Sequence, residues 1–91
     1  MRDLNYKHLH YFWVVAKEGG VNRAAIKLDV AAQTISGQLA LLERHLGVAL
    51  LAPAGRGLAL TEAGRTALSY ADRIFGLGEQ MLEALEDRSS E

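Results

Sequence analysis

The chain has 91 residues, of which 49% are hydrophobic and 23% are charged, with no cysteine and a formal net charge of −1. This length suits one small domain, the apolar fraction supports a packed core, and the lack of cysteine excludes disulfides and thiolate metal sites. The first ten residues are polar, and no apolar run approaches the roughly 18 residues that a membrane span needs. We therefore expect a cytoplasmic protein with no signal peptide and no membrane partner.

A first helix is predicted over residues 6–18, with Asn5 as its N-cap. Gly19 and Gly20 end it, because glycine readily takes the left-handed conformation that closes a helix. A short second helix is predicted over residues 21–28. Its alanines are small, so another helix can approach it closely.

A third helix is predicted over residues 32–46, ended by Gly47. Its apolar residues recur at steps of four and three, which defines a buried stripe of Ile35, Leu39, Leu42 and Leu46. The second and third helices are joined by a short connection, as in a helix-turn-helix.

Two short apolar runs, residues 48–51 and 58–60, follow the third helix. They flank a segment in which Arg56 lies between two glycines, and this pattern predicts a β-hairpin with Arg56 at its tip. Thr61 is the predicted N-cap of a long fourth helix over residues 62–87. The expected fold is mainly α: a winged helix-turn-helix with a long C-terminal linker helix.

The outward face of the third helix carries small and hydrogen-bonding side chains. Gln33 can pair bidentately with an adenine edge in the major groove, and Thr34 and Ser36 can donate to phosphates or base edges. Gly37 lets the helix backbone approach a duplex closely. An ordinary solvated helix face carries the same residue types, so this face alone leaves the two interpretations open.

The predicted hairpin tip favours DNA binding, because Arg56 can enter a minor groove beside the groove that the third helix occupies. The charge distribution agrees with this assignment. Residues 1–61 hold seven Lys and Arg against four Asp and Glu, a net charge of +3, whereas residues 62–91 hold three against seven, a net charge of −4. The basic side chains that we expect to contact phosphates are Lys7, Arg23, Lys27 and Arg44.

A net charge of +3 neutralises few phosphates, so two copies on one duplex would bind far better than one. The fourth helix has two adjacent apolar stripes with a period near 3.5 residues, which suits helix pairing. At about 1.5 Å per residue it approaches 40 Å, longer than the small body that it leaves. We expect a homodimer through Ala67, Tyr70, Ala71, Ile74, Phe75, Leu77, Gly78, Met81, Leu82 and Leu85. The alternative is a helix folded wholly onto its own domain.

The chain resembles, from end to end, the DNA-binding domain of LysR-type transcriptional regulators. The matching residues include Leu9 and Phe12, Ala24 and Ala25, Leu42 with Glu43, and the run from Thr61 to Gly64. The phrases HLHYFWVVAKEGG, QTISGQ, GRGL and YADRIFGL are most similar to the subgroup that activates sodium/proton antiporter genes.

The resemblance implies a dimer or tetramer on a partly palindromic promoter site, with the start of the third helix in the major groove and the hairpin at the minor groove. By position, the implied contacts fall on Ala32, Gln33, Ser36, Gly37 and Arg56. It also implies a division into residues 1–61, the DNA-binding domain, and residues 62–91, the linker and dimerisation helix with its tail. Because the family's effector domain is missing, no small-molecule inducer is expected to bind this chain.

The chain departs from the family pattern at the start of the third helix. Ala31 stands where the family often has a capping Ser or Thr, and Asp29 is the candidate to replace the lost cap.

No catalytic or cofactor motif is present. His8 and His10 diverge on a helix, His45 lies near a helix C-terminus, and no nucleophile elbow, phosphate loop or dinucleotide fingerprint occurs. We expect no enzyme activity, no metal and no cofactor. The leading function is promoter binding, and the alternative is a dimerisation module that modulates a full-length regulator.

Overall fold

The computed structural model describes residues 3–89. Its elements, in chain order, are α1 (Tyr6–Glu18), α2 (Val21–Leu28), α3 (Ala32–Leu46), β1 (Leu51–Ala54), β2 (Gly57–Leu60) and α4 (Glu62–Ser89). The first three helices have the predicted bounds, and α4 begins where predicted and ends two residues later. A mainly helical winged helix-turn-helix with a long final helix is thus confirmed.

The predicted caps are present at both kinds of helix end. The Asn5 Oδ1 accepts the backbone N–H of His8 at 3.0 Å, and the Thr61 Oγ1 accepts the backbone N–H of Gly64 at 2.9 Å. Gly19 and Gly47 close α1 and α3 in the left-handed conformation, at φ of 88° and 73°. These residues set where the helices begin and end because each supplies a partner or a backbone angle that the flanking chain needs.

The start of α3 differs from the expectation for Asp29. Asp29 ends α2 in the left-handed conformation, at φ of 55°, and its N–H donates to the carbonyl of Ile26 at 3.3 Å. Ala31 occupies the N-cap position, and no side chain among the described residues caps α3 there. The suggestion that Asp29 replaces the missing cap was wrong, because its backbone is already committed to closing α2.

The two strands of the hairpin lie closer to the turn than the apolar pattern indicated. The strands pair antiparallel from Leu51 opposite Leu60 to Ala54 opposite Gly57, so the turn is only Gly55 and Arg56. The predicted first strand, residues 48–51, began too early. The backbone of that segment bonds elsewhere, because the N–H of Val48 donates to the carbonyl of Glu43 as α3 ends. We call residues 51–60 the wing.

The core lies between the helices, with α1 at its centre and in contact with α2, α3 and α4. The largest fully buried side chains are those of Phe12, Val15, Ile35, Leu42 and Leu50. Four of these five come from α1 and α3, and Leu50 adds the segment that leads into the wing. The two elements expected to meet DNA are therefore attached to one packed body.

The fourth helix packs along α1 only over its first half. Ala71 is completely buried, and Ile74 and Phe75 pack against the core from the same helix. Farther along, Leu77, Met81, Leu82 and Leu85 are each more than half exposed. With 28 residues the helix is roughly 42 Å long, and the molecule measures 51 Å along its longest axis. None of the helices in the described part of the chain is long and apolar enough to cross a membrane.

Candidate nucleic-acid interface

The outer face of α3 is open to solvent. Gln33, Thr34, Ser36 and Gly37 are all exposed, Ala32 is half-buried, and Ile35 between them is completely buried. This alternation arises because Ile35, Leu39 and Leu42 bind the helix to the core at steps of four and three residues. The side chains predicted to contact bases are thus held on a rigid element and face away from the body.

The wing tip is the second exposed part of the predicted interface. Gly55 has φ of 60°, which lets the chain reverse in two residues and leaves Arg56 at the extreme of the hairpin. Arg56 and Arg23 line one concave surface together with Gly20, at the N-terminus of α2. The structure therefore brings two predicted DNA-contacting arginines, from different elements, to the same concave surface of the protein.

The other predicted phosphate contacts are dispersed around the body. Lys7 in the first turn of α1 and Arg44 near the end of α3 are both exposed. Lys27 is exposed but forms an ion pair with Glu18, at 3.2 Å between Nζ and Oε2. That pair offsets the charge of Lys27, so of the four predicted cations it is the least available to a phosphate.

Glu43 holds the junction between α3 and the wing, which sequence analysis did not foresee. One carboxylate oxygen, Oε2, accepts the backbone N–H of Leu50 at 2.7 Å and that of Leu51 at 3.2 Å. On the other side of this segment the Thr61 Oγ1 donates to the carbonyl of Ala49 at 2.6 Å. Glu43 appeared in the sequence only as part of the family pattern, because nothing local shows that its side chain reaches seven residues ahead. We call residues 49–51 the wing root.

A second unforeseen contact joins α1 to α4. The indole Nε1–H of Trp13 donates to the Asp72 Oδ1 at 2.7 Å, and the Lys17 Nζ lies 2.8 Å from the same oxygen. Hydrogen bonding by Lys17 and then by Trp13 holds the pKa of the Asp72 carboxyl below its ordinary value. The Trp13 ring also packs on Phe75, with 5.0 Å between centroids. No short-range pattern in the sequence predicts this contact, because Trp13 and Asp72 are 59 positions apart in the chain.

The residues predicted to form the dimer fall into two groups. Ala71 is completely buried against its own domain, so it cannot face a second copy as predicted. The reason is that the first half of α4 packs on the core of its own chain. Four others are partly covered there: Ala67, Ile74, Phe75 and Gly78. Five remain exposed: Tyr70, Leu77, Met81, Leu82 and Leu85.

The histidines are spread through the fold. His8 is buried, His10 packs its ring edge-on against Phe75 with 5.1 Å between centroids, and His45 is exposed. Within residues 3–89, no group of three or more His, Cys, Asp or Glu side chains could hold a metal ion.

A helix-turn-helix followed by a two-stranded wing, with a polar outward face on its second helix, defines the winged helix-turn-helix class. Residues 6–65 match the family described as bacterial regulatory helix-turn-helix protein, lysR family. The chain belongs to this LysR family.

Relatives and solved structures agree with the family assignment. The chain is 44% identical over 88 residues to the transcriptional activator protein NhaR of Escherichia coli (strain K12), covering 97% of this chain and 29% of NhaR. The structure of the BenM_DBD/catB site 1 DNA complex superposes with a TM-score of 0.88 at 31% identity, covering 96% of this chain and 97% of that one. The CbnR_DBD–DNA complex superposes with a TM-score of 0.80 at 35% identity, covering 93% and 98%. NhaR is a transcriptional activator, and the chain spans less than a third of its length.

Proposed function

We propose that this chain binds double-stranded promoter DNA sequence-specifically, as a homodimer, and acts in transcription regulation in the bacterial cytoplasm. The observation that carries the proposal is the exposed polar face of α3, fixed by a buried stripe on its other side. Both solved structures described above are DNA complexes, and this supports the same use of the fold here.

The proposed contacts combine groove recognition with phosphate binding. Gln33 pairs with a base edge, and Thr34 and Ser36 bond to base edges or phosphates at the same turn. Ala32 contacts a thymine methyl group, and Gly37 allows close approach of the backbone. Arg56 enters the minor groove. The phosphate contacts that complete the proposal are Lys7, Arg23, Lys27 and Arg44.

The proposed dimer uses the distal half of α4. Leu77 and Met81, with the other exposed apolar residues of α4, project from a helix that leaves its own domain, and a second copy is the simplest way to cover them. In this proposal residues 1–61 form the DNA-binding domain and residues 62–91 form the dimerisation segment. The proposed function of the chain involves no small-molecule inducer and no membrane.

Titrating a labelled duplex with the purified chain tests the proposal. The probe is the duplex that the wild-type chain enriches most from a random-sequence library. We expect log K to fall steeply with log salt, because phosphate contacts release counterions, and a pure protein-interaction module would enrich no duplex. Gln33→Ala should lose about 1–3 kcal/mol of discrimination at one base pair, and Arg56→Ala should weaken binding.

Gln80→Ala is the matched control, since Gln80 is exposed on α4 and is not among the residues proposed to contact DNA or the second copy. Its affinity and base preference should equal those of the wild type. Wild-type affinity and preference in both Gln33→Ala and Arg56→Ala would reject these contacts. Failure of the wild-type chain to enrich any duplex would reject DNA binding itself.

A further inference from the structure

We propose that Glu43 is a positioning residue for DNA recognition: its carboxylate, carried by α3, sets where the wing stands and so where Arg56 meets the duplex. This inference rests on the proposed function. The inference goes beyond the proposed function because it assigns a role to a residue that does not touch DNA.

The carboxylate of Glu43 is placed to hold two consecutive backbone amides. Its Oε2 accepts from the N–H of Leu50 at 2.7 Å and from that of Leu51 at 3.2 Å. Hydrogen bonds to a charged acceptor are stronger than neutral ones, and two adjacent donors fix the direction of the chain as well as its distance. Leu50 is 2% exposed, so its amide has little access to water as a substitute partner.

The opposite side of the wing root is held by Thr61. The backbone N–H of Thr61 donates to the carbonyl of Leu50 at 3.0 Å, and its Oγ1 donates to the carbonyl of Ala49 at 2.6 Å. Glu43 thus ties the wing root to α3, whereas Thr61 ties it to the start of α4. Without the Glu43 bonds, the entry to β1 keeps a connection to the linker helix but loses its side-chain connection to the recognition helix.

The wing itself is too small to set its own position. It is a two-stranded hairpin with four residues in each strand, and such a hairpin is at best marginally stable in isolation. Glu43 lies ten residues after Gln33 on α3, about three turns along the same rigid helix. One helix therefore carries the proposed base contact at one end and the wing anchor at the other, which fixes the distance between the two groove contacts.

The test compares the effect of Arg56→Ala in three backgrounds of the full chain: wild type, Glu43→Ala and Glu43→Gln. The probe is the duplex enriched by the wild type. We expect Arg56→Ala to weaken binding about tenfold in the wild type and in Glu43→Gln, whose amide oxygen still accepts both N–H groups. In Glu43→Ala the same change should cost less than about threefold, because Arg56 is already displaced.

Charge and folding effects are separated by design. Removing a carboxylate makes the protein more attractive to phosphates, so weaker binding by Glu43→Ala runs against the electrostatic trend. Glu83→Ala, an exposed glutamate on α4, is the matched control and should leave the Arg56→Ala effect unchanged. All titrations are made at a temperature at which circular dichroism shows each variant fully folded.

Amide hydrogen exchange on the free protein provides a readout that does not depend on DNA. Glu43→Ala should exchange faster than wild type at Leu50 and Leu51, with α1 unchanged, and Glu43→Gln should restore slow exchange. Equal Arg56→Ala effects in all backgrounds, or unchanged exchange at the wing root, would overturn the role of Glu43. If the wild-type chain enriched no duplex, the proposed function would fall, and the exchange data would still decide whether Glu43 holds the wing root.

Discussion

At the scale of single residues, the close approach of α4 to the wing root depends on Gly64. A Cβ built on Gly64 would overlap the carbonyl oxygen of Leu50, whose N–H is bound by Glu43. Gly64 is also the residue whose N–H the Thr61 hydroxyl caps. The first turn of α4 therefore requires a glycine at position 64. The obstructing atom is the backbone oxygen of Leu50, and Leu50 is held by hydrogen bonds to both Glu43 and Thr61.

We predict that Gly64→Ala lowers the free energy of unfolding by about 1–3 kcal/mol, because the methyl group forces α4 and the wing root apart. Gly76→Ala is the matched control: it lies in the same helix with nothing within 4 Å of its Cβ. It should raise the free energy of unfolding by about 0.5–1 kcal/mol, because alanine orders a helix more readily than glycine does. Urea unfolding followed by circular dichroism measures both, and equal effects of the same sign would contradict the prediction.

At the scale of elements, the orientation of α4 on α1 is set by packing and by one polar contact. Ala71 and Phe75 provide the packing against the core, and Asp72 between them bonds to both Trp13 and Lys17. The apolar stripe allows the helix to slide or roll slightly, whereas two donors on a single oxygen select one position. Because α4 extends well beyond the body, a small change of angle at Asp72 moves its far end by a larger distance.

The Asp72 contact predicts a pH dependence. Its pKa in the folded protein is lowered from the ordinary value of 3.8, so its contribution to stability is present above that value and is lost as pH falls through the lowered pKa. Asp72→Asn should be slightly less stable than wild type at pH 7, with the difference disappearing in acid. The effect is small because the ion pair is exposed to solvent.

Thermal unfolding of wild type and Asp72→Asn between pH 7 and strongly acidic solution measures this difference. Glu83→Gln, which neutralises an exposed carboxylate on the same helix, should show no comparable convergence with pH. A difference between Asp72→Asn and wild type that stayed constant down to the lowest pH would show that the carboxylate charge has no part in joining the helices.

At the scale of the whole molecule, the long helix carries apolar residues that a single chain leaves exposed. Leu77 is 64% exposed and Met81 57% exposed, on a helix whose first half is covered by its own domain. A single copy also presents only one recognition helix, and its residues 1–61 carry a net charge of only +3. Pairing of two α4 helices would cover the apolar residues and bring two recognition helices onto one duplex, so that affinity rises without any new contact to the bases.

We predict that Leu77→Asp converts the dimer to a monomer, because it places a carboxylate in the centre of the exposed stripe. A substitution at Leu77 tests the dimer surface more specifically than one at Ile74, because Ile74 also packs against the core of its own chain. Ser69→Asp, an exposed position off the stripe, is the control and should remain dimeric. Sedimentation velocity measures the mass, and circular dichroism checks that the helix content is kept. An unchanged mass for Leu77→Asp would remove the proposed dimer surface.

The sequence alone determined the helices and, apart from the last two residues of α4, their ends, because caps, glycines and apolar periodicity act within a few residues of one another. It likewise determined which side of α3 faces outward, since Ile35, Leu39 and Leu42 leave only one face for Gln33 and Ser36. The family resemblance supplied the use of that face.

Only the tertiary structure decided how the elements are joined. The bonds from Glu43 to the wing root, the shared oxygen of Asp72, the overlap that excludes a side chain at Gly64 and the burial of Ala71 all depend on where separate segments meet. Periodicity along the chain identifies an apolar stripe but not its partner, so it could not tell which part of α4 packs on its own domain. That distinction required the packing of α1 against α4, which brings together residues about 60 positions apart in the chain.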